Sequence, residues 1–134
     1  MTVAQLQAAL DGAPFARQYR FRVESADGDT CAVFCPANPD LLRPDNIVSG
    51  PAFMAAADVA MWLAITNTLG PKATSAVTVE MKTNFVSALK GAQEFCCTAQ
   101  IRKAGSRIVF GTAECREVDG RLLTHHTITY FRRD

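Results

Sequence analysis

The hydrophobic pattern of the chain changes period once. From Gly50 to Leu69, "GPAFMAAADVAMWLAITNTL", apolar side chains follow one another for about five turns, and Asp58 is the one charged residue among them. Such a run predicts a helix that is apolar nearly all round and wrapped on most sides by other elements. Gly50 and Pro51 suit its start, because the N–H that proline lacks has no partner there and its fixed φ favours the turn. Leu69-Gly70-Pro71 ends it, with glycine at the C-terminal cap position and proline beyond.

Elsewhere the period is mostly two. Residues 1–10 predict a short helix that stops at "DGAP". Gln18–Ser25 alternates, and with "TCAVFCP" across the "ADGD" turn it predicts a hairpin. A loop rich in Pro, Asn and Asp leads into the long helix. After the helix only strands follow. In "SAVTVEMKTNFVS" the alternation places Val77, Val79, Met81 and Thr83 on one face. Three further strands fall within 92–105, 106–120 and 121–133, the first two joined by a turn at Lys103–Arg107. There is no internal repeat. The fold class expected is α+β, one domain over residues 1–134, with a strongly curved antiparallel sheet wrapped around the central helix. One sheet cannot cover every side of so apolar a helix, so a partner subunit is expected to complete its burial.

Composition narrows the function. Charged residues are 20% of the 134 and apolar residues 49%, with a net charge of +1 and both signs scattered. That balance is globular and offers no electrostatic footprint for nucleic acid. The amino-terminal stretch lacks a secretory pattern, and Pro51 and Asp58 interrupt the apolar run, so no membrane span is expected. Five cysteines, an odd number with no CxxC, read as buried free thiols of a cytoplasmic protein and not as a metal site. His125 and His126 are adjacent on a strand and point to opposite faces, so they cannot converge on one ligand. They are expected at the surface or at an edge. Met61 and Trp62 read as core or interface packing.

Asp58 is the residue this pattern leaves unexplained. An unpaired carboxylate in an apolar setting costs several kcal/mol, and ionisable groups so placed tend to mark functional sites.

The stretch "SGPAFMAAADVAMW", followed by "AVTVEMKTNF" and then by "DGRLL" before "THHTITYF", resembles the hotdog-fold thioesterases, specifically the PaaI-like branch, over roughly residues 30–132. In that branch His-Gly-Gly opens the central helix and an acidic residue follows nine positions after the histidine. Here Ser49-Gly50-Pro51 stands at the opening, Asp58 is nine residues after Ser49, and Asn84-Phe85 closes the strand. The resemblance implies an acyl-CoA thioesterase without metal or organic cofactor. It implies that the Gly50 N–H polarises the thioester carbonyl, that Asp58 acts as base or nucleophile, and that Thr78 orients water. Asn46 and Ser49 would touch the substrate, and Lys90, Lys103 and Arg107 the phosphates of coenzyme A. Gly50 and Asp58 are about 12 Å apart along one helix. The resemblance resolves that distance by building each site from two subunits of a homodimer or homotetramer. Acyl-CoA would be the partner, with neither nucleic acid nor membrane. Two rival readings remain open. A hotdog hydratase would need a histidine near Asp58, and His125 and His126 lie far along the chain. A non-catalytic acyl-CoA-binding protein would treat Ser49 as the mark of a lost site.

Overall fold

The computed structural model describes residues 1–134. Helix α1 (Val3–Asp11) opens the chain. Its Thr2 cap accepts from the Gln5 N–H at 3.1 Å while the Gln5 side chain accepts from the Thr2 N–H at 2.9 Å, satisfying two orphan donors reciprocally. Six strands follow: β1 (Arg22–Asp27), β2 (Thr30–Cys35), β3 (Val77–Phe85), β4 (Phe95–Ala104), β5 (Ile108–Glu117) and β6 (Leu122–Phe131). They form one antiparallel sheet in the order β1-β2-β4-β5-β6-β3, which leaves β1 and β3 at the edges. Helix α2 (Gly50–Leu69) lies against the inner face of this curved sheet, with the bounds that Gly50-Pro51 and Gly70-Pro71 predict.

The strand expected from Gln18 begins later. Pro14–Tyr19 is a 3-10 turn, closed by Arg20 in the left-handed region at φ 59°, and β1 starts only at Arg22. Pro14 pre-sets the turn, and the Asn38 side chain donates to the Gln18 carbonyl at 3.0 Å to hold it.

Twelve of the twenty α2 residues are buried by the chain itself, because α1 and the 3-10 turn cover the side that the sheet leaves open. The apolarity of α2 therefore demands less of a partner than the sequence suggests. By length and composition α2 is apolar enough to cross a membrane, but 67% of its most apolar 18-residue stretch is buried inside the fold. The contact beneath it is made of small side chains. Ala56, Ala57, Ala60 and Ala64 face a sheet whose inward positions include Cys31, Cys97, Ala99, Ala113 and Cys115. Gly111 is the tightest point: a Cβ there would sit 2.6 Å from the Gln100 carbonyl oxygen and 2.8 Å from the Met61 sulfur. All five cysteines are free, and only Cys96 is more than marginally exposed. Burial pushes the Cys31 and Cys35 thiols up to about 12.

Strand β3 departs from the alternation read in its sequence. Thr78 stands opposite Tyr130 and Glu80 opposite Thr129, so Val79 is an extra residue in a β-bulge. The bulge flips the register. Thr78, Met81 and Thr83 face inward, while Val77 and Val79 are exposed, Val79 by 59%. His126 also differs from expectation. It is fully buried on the inner face, with Nδ1 2.8 Å from Thr83 Oγ1 and Nε2 2.7 Å from Thr124 Oγ1. Two strand hydroxyls satisfy both ring nitrogens, which is why the interior accepts it.

Candidate functional site

The Asp58 carboxylate is half-buried on the side of α2 that faces β3 and β6. The Thr78 hydroxyl donates to its Oδ1 at 2.6 Å, and the Tyr130 hydroxyl donates to the same oxygen at 2.6 Å. Both distances are those of hydrogen bonds to an ionised acceptor. Tyr130 also lies 3.0 Å from the backbone carbonyl of Asp58. Thr78 reaches Asp58 only because the bulge at Val79 turns it inward. Tyr130 reaches it because it lies directly opposite Thr78 on β6. Burial, and then the neighbouring Asp58 charge, raise the Tyr130 phenol well above its ordinary range, so it remains a donor at any working pH. Oδ2 has no hydrogen-bond partner in the chain and is not sealed from solvent.

These three polar groups stand at one end of a cavity of about 290 Å³ whose other walls are apolar. Leu10, Ala13, Phe15 and Ala16 come from the amino-terminal segment, and Val59 and Trp62 from α2. The Trp62 indole is held by a 3.0 Å bond to the Thr74 carbonyl.

Gly50 lies elsewhere. It lines a second cavity, about 340 Å³, together with Arg43, Phe53, Phe85 and Ser87. As the first residue of α2 it has an N–H that donates to nothing in the chain, at the positive end of the helix dipole. Its lack of a side chain matters here, because a Cβ would stand 3.0 Å from the Phe85 ring. Pro51 has no N–H, and the Ala52 N–H is taken by the Ser49 carbonyl at 3.0 Å, so Gly50 is the free donor of this turn. Ser49 makes no side-chain cap bond.

Within one chain, then, Asp58 and Thr78 come together, and Gly50 belongs to a different cavity at the opposite end of β3, near Phe85. Asn46 is exposed near Gly50, in the left-handed region at φ 63°. Its carbonyl accepts from the Gly91 N–H at 2.7 Å, next to exposed Lys90. Lys103 and Arg107 lie by the β4–β5 turn, at the end of the sheet where Ile108, Phe131 and Val77 pair. That is the Asp58 end. Arg107 donates to the Asp134 carbonyl at 3.1 Å, while Lys103 is exposed.

Tyr130 is the member of this group that the sequence reading missed. Its signal was present. Thr124, His126, Ile128 and Tyr130 share the inward alternation of the last strand, and an inward tyrosine needs a partner for its hydroxyl.

Comparison with known structures gives the fold independently. A conserved protein from Pseudomonas aeruginosa superposes with a TM-score of 0.85 at 24% identity, covering 94% of this chain and 98% of that one. A thioesterase from Haemophilus influenzae gives 0.86 at 14% identity, covering 98% and 90%. A variant of the phenylacetic acid degradation protein PaaI from Thermus thermophilus gives 0.79 at 24% identity, covering 90% and 99%. No curated protein matches the sequence significantly. The family model of the thioesterase superfamily matches residues 45–124, more than half of the chain, with Gly50, Asp58 and Thr78 inside it. The chain is a hotdog-fold protein and belongs to the thioesterase superfamily.

Proposed function

We propose that the protein is an acyl-CoA thioesterase that hydrolyses an acyl- or aryl-CoA to the free acid and coenzyme A. It works as a homo-oligomer in the cytoplasm. The observation that carries this reading is the Asp58 carboxylate at the end of an apolar cavity, with one oxygen fixed by Thr78 and Tyr130 and the other unpartnered. Oδ2, open to solvent and without a partner in the chain, is free to accept a proton from water.

The chemistry needs two things: a donor where negative charge develops on the carbonyl oxygen, and an activated nucleophile. The Gly50 N–H is the donor, free and aimed outward from a helix start. Asp58 Oδ2 takes a proton from water as the water oxygen adds to the carbonyl carbon. The C–S bond then breaks, and the proton passes to the departing sulfur. Thr78, while donating to Oδ1, offers its lone pairs to that water.

Since one chain holds Gly50 and Asp58 in separate cavities, the working site takes Gly50 from one protomer and Asp58 from its partner. The unpaired edge of β3, carrying exposed Val79, Phe85 and Val86, is the surface through which two protomers would meet. Lys103 and Arg107 on the Asp58 side, and Lys90 with Asn46 and Ser49 on the Gly50 side, are then available to the phosphates and the thioester arm of coenzyme A.

Thiol release from acetyl-, hexanoyl-, decanoyl- and phenylacetyl-CoA tests the proposal, with wild type beside Asp58→Asn. Turnover of at least one substrate, lost 100-fold or more in the variant (about 2.7 kcal/mol of transition-state stabilisation), is the expected outcome. Binding of the thioesters without turnover would instead make the protein an acyl-CoA carrier.

A further inference from the structure

Tyr130 lines the cavity beside Asp58 but is almost wholly buried, and it is bonded to the group on which the proposed reaction depends. It is 3% exposed, its ring is packed on the inner face of β6, and its hydroxyl is 2.6 Å from Asp58 Oδ1. We infer that Tyr130 is a positioning residue: its hydroxyl locks the rotation of the Asp58 carboxylate so that Oδ2 points into the apolar cavity. This inference rests on the proposed thioesterase reading and deepens it.

Asp58 hangs from a helix and can turn about its terminal carboxylate bond, a broad torsion with weak intrinsic preference. One donor on Oδ1 would leave that oxygen free to swing about a single contact. Two donors on one oxygen, arriving from neighbouring strands, define a direction. Thr78 comes from β3 and Tyr130 from β6, and the two residues face each other across the ladder. The two donors are not equivalent. Thr78 is exposed and sits on an edge strand, so its hydroxyl exchanges readily with water. Tyr130 is a rigid side chain in the core, and its proton has two acceptors on the same residue, Oδ1 at 2.6 Å and the backbone carbonyl at 3.0 Å. That pair of contacts ties the phenol to the side chain and to the helix backbone at once. The side chain cannot turn without losing the shorter contact.

The Tyr130→Phe variant keeps the ring and removes the oxygen alone. Rate and affinity should separate. With the thioester bound but the base wandering, kcat falls 10- to 100-fold while KM for the same acyl-CoA stays within about two-fold. Ile128→Val, a small truncation two residues away on the same inward face, serves as the control for general loosening of the strand and should keep kcat within about two-fold. Far-ultraviolet circular dichroism and a urea melt establish that both variants fold.

The result expected is a kcat loss confined to Tyr130→Phe with KM unmoved. An unchanged kcat in Tyr130→Phe, with wild type active and Asp58→Asn inactive, overturns the positioning role and leaves the thioesterase reading intact. A matching kcat loss in Ile128→Val also overturns it, since the effect would then be structural. If wild type turns over no thioester, the thioesterase reading falls first, and the role of Tyr130 falls with it.

Discussion

Replacing Asp58 by alanine should remove activity and leave stability almost untouched. That combination separates a carboxylate placed for chemistry from one placed for the fold. The change deletes two short hydrogen bonds to a charged group, worth on the order of 1.5–3 kcal/mol each when their loss strands a partner. Here neither partner is stranded. The Tyr130 hydroxyl retains the Asp58 backbone carbonyl at 3.0 Å, and Thr78 is exposed and turns to water. Opposing the loss is the relief of holding a carboxylate without a counter-charge in a half-buried, apolar cavity, an effect of several kcal/mol for a fully buried ion and less here. Alanine also gains about 0.7 kcal/mol of helix propensity over aspartate at mid-helix. These contributions are of similar size and opposite sign, so the net change should lie within about 1 kcal/mol, or roughly 3–5 °C in Tm for a chain of this length. Urea denaturation followed by tryptophan fluorescence measures it, since Trp62 lines the same cavity. A destabilisation beyond about 2 kcal/mol would refute the reasoning, because the carboxylate would then be holding α2 to β3 and β6.

Alkaline pH should weaken the protein through its buried acids. Cys31 and Cys35 are pushed up to about 12 by burial, and Cys97 is raised by its hydrogen bond with Cys115 and by burial. An unfolded thiol ionises near 8.5. Between those values the folded state keeps protons that the unfolded state releases, so stability falls as pH rises from about 8.5 toward 12. Each thiol contributes about 1.4 kcal/mol per pH unit while inside its window. Urea midpoints at pH 7.5, 9 and 10 under reducing conditions should decline in order, and a flat series would contradict the burial. Gly111→Ala should cost about 2–3 kcal/mol, since its Cβ meets the Gln100 backbone as well as the mobile Met61 side chain; a melt within 1 kcal/mol of wild type would mean that the β4 backbone and Met61 give way freely. Wild type should sediment as a dimer or larger, and Val79→Lys on the open β3 edge should yield a folded monomer without turnover. An active monomer would show that one chain suffices.

The two ends of α2 were legible because Gly50-Pro51 and Gly70-Pro71 act locally, through φ and a missing N–H, wherever the chain goes next. The antiparallel sheet was legible for a similar reason: period-two patterning and Asp-Gly turns are local signals. What escaped depends on which residue faces which across the sheet. The sequence of β3 alternates cleanly, so nothing in it announces the bulge at Val79. That bulge is settled by pairing with β6, where Thr78 meets Tyr130 and Glu80 meets Thr129. The same gap hid Tyr130 from the Asp58 group and sent His126 to the surface. Its buried place depends on Thr83, supplied by β3 across the ladder, together with Thr124 two residues before it on β6. Asp58 was conspicuous because a single charge in an apolar helix is anomalous wherever it packs.

The small side chains beneath α2 set a tolerance as well as a core. Asp58 is held by hydroxyls from two strands at 2.6 Å, and such bonds weaken as they lengthen and are lost within about 1 Å. The height of the helix above the sheet is therefore part of the site's dimensions, and that height is set by Gly111, Ala99, Ala113 and the inward cysteines, none of which lines either cavity. A single added methyl on the floor acts as a shim. It would raise the helix and carry the carboxylate out of reach of Thr78 and Tyr130, while every residue of the site kept its identity. Variation in this protein should accordingly be freer at the mouth of the cavity, where Phe15 is exposed, than on the sheet under the helix. The narrowest constraint on its chemistry lies among residues with almost no side chain.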